Sequence, residues 1–244
     1  MKYFRFSSML LASVVLIFLI SCGGGNQQDD KKNDGADTAA GNTTSAVNTI
    51  VTTPQTMVII VHKVADFVKW KPFYDAHDSA RLASGLHNYV IGRGLQDSNK
   101  VLVALKADDL EKAKAFSKDP GLKQIMQKAG VVGAPSITFV TATWQDTANV
   151  GPLPRSMTTF TVKDWDAWLK SFDDGKQERT DNGLLVRVVG HDAEDTKKVA
   201  LVTALSDTAK AFAYYKSDAL KKRREAGGVI TEPDRFLFTI VQRY

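Results

Sequence analysis

A chain of 244 residues has room for one large domain or two small ones. Its 43% hydrophobic and 24% charged residues are those of an ordinary globular protein, and its net charge of +5 lacks the interleaved aromatic and basic clusters of a nucleic-acid-binding surface. A single cysteine, Cys22, excludes an intrachain disulfide and any metal site built on several cysteines.

Lys2 and Arg5 open the chain, and residues 9–20 form an unbroken run of apolar or small residues. Twelve residues rise only about 18 Å as a helix, too short for a hydrocarbon core of about 30 Å. Such a segment reads as the apolar part of a secretory signal spanning residues 1–21. The run ends Leu19-Ile20-Ser21-Cys22, which resembles the lipobox of bacterial lipoproteins. That resemblance implies a diacylated, N-acylated Cys22 that holds the protein on a lipid bilayer. Gly23 in place of an aspartate implies the outer membrane, with the periplasmic and surface faces both open; Asp29-Asp30-Lys31-Lys32 is loosely similar to surface-export signals. Two or more acyl chains anchor stably, where one is marginal. Residues 22–56 are rich in Gly, Asn, Asp and Thr without an aromatic, and read as a disordered tether.

The next elements come in chain order. Residues 58–64 are an apolar strand. Asp66 suits a helix N-cap, with Phe67, Trp70, Tyr74 and His77 following at helical spacing and Gly85 at the helix end. Residues 86–92 and 101–105 read as strands. Asp109 caps a second helix carrying Leu110, Ala113 and Phe116, broken near Asp119-Pro120-Gly121 and resumed with Leu122, Ile125 and Met126. A last strand covers residues 136–142.

The same order then repeats. Shifting residues 64–123 by 98 lays them on 162–221 without a gap, with 19 of 60 positions identical. The matches include Asp66 with Asp164, Trp70 with Trp168, Arg81 with Arg179, Gly85 with Gly183 and Gly92 with Gly190, and beyond the segment Pro135 meets Pro233. The chain therefore divides into repeats at 57–145 and 156–244, each βαββαβ. Such a unit folds as a ferredoxin-like α+β layer with both helices on one sheet face. Val101-Leu102-Val103-Ala104-Leu105 is apolar at both parities, as is Val199-Ala200-Leu201-Val202, so these strands are buried on both sides. The two sheets are expected to cover each other within one chain, as a fused dimer.

The topology, the helix openings Asp66-Phe67-Val68-Lys69-Trp70 and Asp164-Trp165-Asp166-Ala167-Trp168, and Ala129-Gly130-Val131-Val132-Gly133-Ala134-Pro135 together resemble the dimeric α+β barrel superfamily, including antibiotic-biosynthesis-monooxygenase-like domains. The resemblance implies a pocket between helices and sheet. It leaves the chemistry open, because members range from cofactor-free oxygenases to domains without known activity. A haem-degrading member would carry a ligating histidine on the second helix, and neither 109–129 nor 207–226 contains one.

No phosphate-binding loop, dinucleotide fingerprint or nucleophile elbow occurs. His62, His77, His87 and His191 stand at no metal-ligand spacing, so neither a metal nor a cofactor is expected. The run Lys221-Lys222-Arg223-Arg224 reads as a solvated helix face. Arg81 and Arg179 read as structural ion-pair members, Arg81 with Asp75 or Asp78 and Arg179 with Asp173 or Asp174, or as anion partners. The candidate ligand site is Tyr74, His77 and Arg81, three and four apart on the first helix, for a small apolar or aromatic ligand. The second repeat has Phe172, Gly175 and Arg179 there, which reads as a decayed site or as drift. The leading expectation is a membrane-anchored binding or stress-related module in the cell envelope, without demonstrable catalysis. The alternatives are a cofactor-independent monooxygenase or isomerase acting on a small aromatic substrate, and a purely structural envelope protein.

Overall fold

The computed structural model describes residues 48–244. The expected signal segment, Cys22 and most of the expected tether lie outside the described residues. Among the described residues, no helix is long and apolar enough to cross a membrane. The tether ends earlier than residue 56: Ile50–Val51 form strand β1, paired with Gln145 and Asp146, and β2 begins at Gln55. The Thr49 side chain donates to Asp146 Oδ1 at 2.9 Å, so this short β-branched stretch finds partners that its polar surroundings do not advertise.

The first repeat runs β2 (Gln55–Val64), α1 (Phe67–Ala76), α2 (Asp78–Ala83), β3 (Leu86–Gly94), β4 (Lys100–Ala107), α3 (Leu110–Ser117), α4 (Pro120–Lys128) and β5 (Val131–Asp146). The second follows with β6 (Arg155–Thr161), α5 (Trp165–Asp174), α6 (Lys176–Asp181), β7 (Leu184–Asp192), β8 (Lys198–Leu205), α7 (Thr208–Tyr215), α8 (Asp218–Ala226) and β9 (Asp234–Arg243). Four aspartates start the equivalent helices: Asp66, Asp109, Asp164 and Asp207 each accept from a backbone N–H of the first turn. The first helix is broken at His77, and its counterpart at Gly175, which the sequence spacing does not indicate. The last strand starts earlier than residue 136 and reaches Asp146. Gly133, Ala134 and Pro135 fall where the pairing of β2 with β5 slips between Val61 and Lys63, and there a proline costs no ladder hydrogen bond.

The strands follow the order β5-β2-β4-β3-β9-β6-β8-β7, and β7 pairs with β5 again. The two ferredoxin-like sheets thus join at both edges into one closed eight-stranded barrel, and leave no free edge between the repeats. Period-two alternation sorts the side chains. Met57, Val90, Leu102, Ala104, Ala142 and Phe238 fill the barrel interior. On the outer face Val58, Val101, Val103 and Leu105 pack under Trp70 and Ala113 of the covering helices. Each fully buried Val or Leu contributes about 1.5–3 kcal/mol, which explains why β4 is apolar at both parities.

Both seams are marked by a repeated glycine. Gly92 lies at β3–β9 and Gly190 at β5–β7. A Cβ on Gly190 would run into the Thr141 carbonyl oxygen and stand 3.0 Å from the Ala142 Cα, and one on Gly92 would meet the Phe238 ring. The close approach of the joined sheets, to backbone at Gly190 and to the Phe238 ring at Gly92, leaves no room for a side chain at either position.

Candidate functional site

In the first repeat the helices and the outer sheet face enclose a cavity of about 60 Å³. This exceeds the ~10–15 Å³ one water needs and falls short of the ~150 Å³ of an apolar cavity that takes benzene, so an aromatic ring enters only as the side chains at the cavity's open side give way. The structure brings Tyr74, His77 and Arg81 together on its wall, with Phe116 and Met126 opposite and His62 on the floor strand. His77 reaches the wall from the break between α1 and α2, half-buried, its ring 6.0 Å from that of Phe116. Partial burial, then the neighbouring Arg81 charge, hold its pKa below the usual histidine value.

Most polar atoms of the expected trio are already engaged. The Tyr74 hydroxyl donates to Asn88 Oδ1 at 2.5 Å, and Asn88 donates to Asp78 Oδ1 at 2.6 Å. Burial pushes the Tyr74 phenol up. Arg81 is 4% exposed, donates to Asp78 at 3.1 Å and to the Tyr74 carbonyl at 2.8 Å, and lies 3.9 Å over the Tyr74 ring. Its charge is met by Asp78, while Asp75 pairs with Lys71 instead. Arg81 thus pairs with Asp78, as the structural reading expects, and braces Tyr74, with its Nε left unpaired.

The residue that sequence reasoning missed is His62. It is 5% exposed, and both ring nitrogens are buried without a hydrogen-bond partner. Its ring faces Trp70 at 5.5 Å. Burial pulls its pKa down to about 4, so the imidazole is neutral near neutral pH. The signal was its parity: His62 shares a strand face with Val58, Ile60 and Val64, an apolar stripe in which a histidine is out of place.

The second repeat carries a cavity at the same place, about 80 Å³, walled by Trp168, Phe172 and Leu201. Arg179, Arg223, Arg224 and Arg235 also line it. Phe172 and Gly175 do remove the polar groups that Tyr74 and His77 carry in the first repeat, and other polar groups arrive from α8 and β9. The reading of residues 221–224 as a solvated face holds for the exposed Lys221 and Lys222, whereas Arg223 and Arg224 are half-buried. With 3.6 residues per turn, a run of four charges cannot all face the same way.

A third cavity of about 110 Å³ lies inside the barrel. Arg155 there donates to the Leu153 carbonyl at 2.5 Å, and Arg187 pairs with Asp146 at 2.6 Å, so the local backbone and one carboxylate already engage these guanidiniums. The remaining histidines lie elsewhere: His87 is exposed against Asp108 at 2.9 Å, and His191 sits edge-on to Trp165 at 4.8 Å. Among the described residues no group of three or more His, Cys, Asp or Glu side chains is placed to hold a metal ion.

An anthrone oxidase-like protein of known structure superposes with a TM-score of 0.57 at 13% identity, matching 80% of this chain and 95% of its own. This chain has the ferredoxin-like, dimeric α+β barrel fold. A proposed monooxygenase of Fusobacterium nucleatum matches at a TM-score of 0.50 and 11% identity over 78% of this chain and 93% of that one. A Listeria monocytogenes protein described as a ferredoxin fold related to antibiotic biosynthesis monooxygenases matches at 0.44 and 7% identity, over 78% and 97%. No protein-family model matches the sequence, and no curated protein is detectably similar to it. At these identities the likeness concerns the fold, and the chemistry rests on the cavities.

Proposed function

We propose that the first-repeat cavity binds a small aromatic molecule bearing one hydrogen-bonding group, with His62 as its polar contact. The observation that carries this reading is the buried imidazole with neither ring nitrogen paired. Leaving such a group unsatisfied costs about 1–3 kcal/mol, an expense a core position avoids unless something is gained from it. Trp70 and Tyr74, stacked at 5.0 Å, supply a flat apolar wall, and Phe116 closes the far side. The solved proteins of the same fold that are described as monooxygenases lend the reading a general precedent.

Binding is favoured over catalysis by the same histidine. A general base works best with a pKa near the operating pH, and an imidazole pulled down to about 4 is a weak proton acceptor. It remains a good hydrogen-bond acceptor for a hydroxyl. Phenol titrated into the protein and followed through tryptophan fluorescence is expected to bind saturably. His62→Leu should weaken that binding at least tenfold, the loss of about one hydrogen bond in an apolar site. Equal affinity in the variant, or no saturable binding to the parent, would refute the reading.

The site is further proposed to act at a membrane surface of the cell envelope, with acylated Cys22 as the anchor. What supports this is the coincidence of a charged start, a short apolar run and the sole cysteine of the chain at its end.

A further inference from the structure

The two cavities occupy one position in the repeat, and the shift of 98 residues pairs their linings side chain by side chain. Ile125, Met126 and Ile137 of the first become Arg223, Arg224 and Arg235 in the second. Ile60 and Leu105 on the first floor become Thr158 and Thr203. The histidines change the other way, His62 to Phe160 and His77 to Gly175. Gly175 makes room for the new charges: a Cβ there would stand 3.0 Å from Arg223 Nη1 and 3.1 Å from Arg179 Nη1. The polarity of the pocket has been inverted around an unchanged tryptophan and an unchanged arginine.

These charges are incompletely met. Arg223 is held by Glu178, its Nε donating at 2.7 Å. Arg179 has no such partner, because Lys176 stands where Asp78 stands in the first repeat. Arg179 is 7% exposed, rests 3.6 Å over the Phe172 ring, gives Nη1 to the Phe172 carbonyl and leaves Nε unpaired. Arg235 stacks 4.1 Å over Tyr215, also with Nε unpaired. Among the described residues, Arg179, Arg224 and Arg235 make no salt bridge. Burial lowers the pKa of all three, Arg179 to about 10, and Arg224 is lowered next by the charge of Arg235. Asp173 and Glu178 act on Arg179, and Glu232 on Arg224 and Arg235, without a salt bridge to any of them. The cavity lining itself holds no carboxylate, and charge of one sign gathered there is costly unless an anion joins it.

We propose that the second-repeat cavity is a binding site for a small organic carboxylate. Its acid group would lie among Arg224, Arg235 and Arg179, and its apolar body against Trp168, Phe160 and Leu201. Arginine forks suit a carboxylate, and the aromatic floor suits a ring or short chain rather than an inorganic ion. This inference is independent of the first-repeat site, since no residue is shared between the two linings.

The test uses benzoate and its neutral analogue benzamide, titrated into the intact protein and followed through the indole N–H signals of Trp168 and Trp70. All affinities are read at the Trp168 signal, which benzoate is expected to shift saturably, while any shift at Trp70 reports the first cavity. Benzamide should bind at least tenfold more weakly, and added salt should weaken benzoate alone. Arg224→Gln with Arg235→Gln should cost at least tenfold in benzoate affinity read at Trp168. Benzamide binding as tightly as benzoate would overturn the proposal, as would no saturation of the Trp168 signal. If the double variant does not fold, the salt dependence and the benzamide comparison on the parent protein decide the matter without it.

Discussion

Replacing His62 by leucine tests the energetic account of the first cavity. The imidazole is 5% exposed, is unpaired at both nitrogens and titrates at about 4 against 6.5 for the unperturbed group. Its folded pKa is depressed, so the unfolded chain binds the proton more readily across that interval. Stability is then fully present above about pH 6.5 and falls as pH drops toward 4. A depression of this size corresponds to about 3 kcal/mol in all, of which about 2 kcal/mol is lost between about pH 7 and pH 5. Leucine has a similar volume and no proton to bind. His62→Leu should therefore be more stable than the parent by about 1–3 kcal/mol at neutral pH, through the removal of unpaired polar atoms. It should also lose less stability on acidification, by about 2 kcal/mol over the same interval. Urea unfolding at both pH values, read through tryptophan fluorescence, measures the two effects together. A variant less stable than the parent at neutral pH, or one with the same acid sensitivity, would refute the reasoning.

Cys22→Ser is expected to release the protein from membranes or to leave its signal uncleaved, read by fractionation and gel mobility; parent-like behaviour on both counts would end the lipoprotein reading. Residues 57–145 expressed alone would lose the β3–β9 and β5–β7 pairings and bare one barrel face, so they should dimerise or aggregate. A soluble monomer by light scattering would contradict that. Gly190→Ala should cost at least about 2 kcal/mol in thermal or urea unfolding, because its Cβ meets backbone at a seam, and an unchanged midpoint would deny the close approach.

Much of the fold was legible because it is local or doubled. The capping aspartates, the break at Asp119-Pro120 and the two-sided apolarity of Val101–Leu105 are each a matter of a few adjacent residues, and every element but β1 occurs twice, 98 residues apart. The seams were not legible, since β3–β9 and β5–β7 depend on register between segments far apart in sequence, with irregular steps at Gly92 and Ala142. The site was read in part. Helical spacing found Tyr74, His77 and Arg81, which do share a wall, but not which of Asp75 and Asp78 engages Arg81. The second cavity was missed because its polar groups came from α8 and β9, at positions occupied by Ile and Met in the first copy. A comparison of the repeats residue by residue beyond 221 would have exposed it.

Joining two subunits into one chain changes what the fold can tolerate. In a symmetric pair of identical chains every unfavourable feature is present twice, so an unpaired histidine or a crowded group of guanidiniums would tax the assembly at both ends. Here the unpaired imidazole of His62 burdens one half and the incompletely paired arginines of the second cavity burden the other, each once. With only about 5–15 kcal/mol of net stability available to a typical domain, halving each burden decides whether such groups can be kept at all.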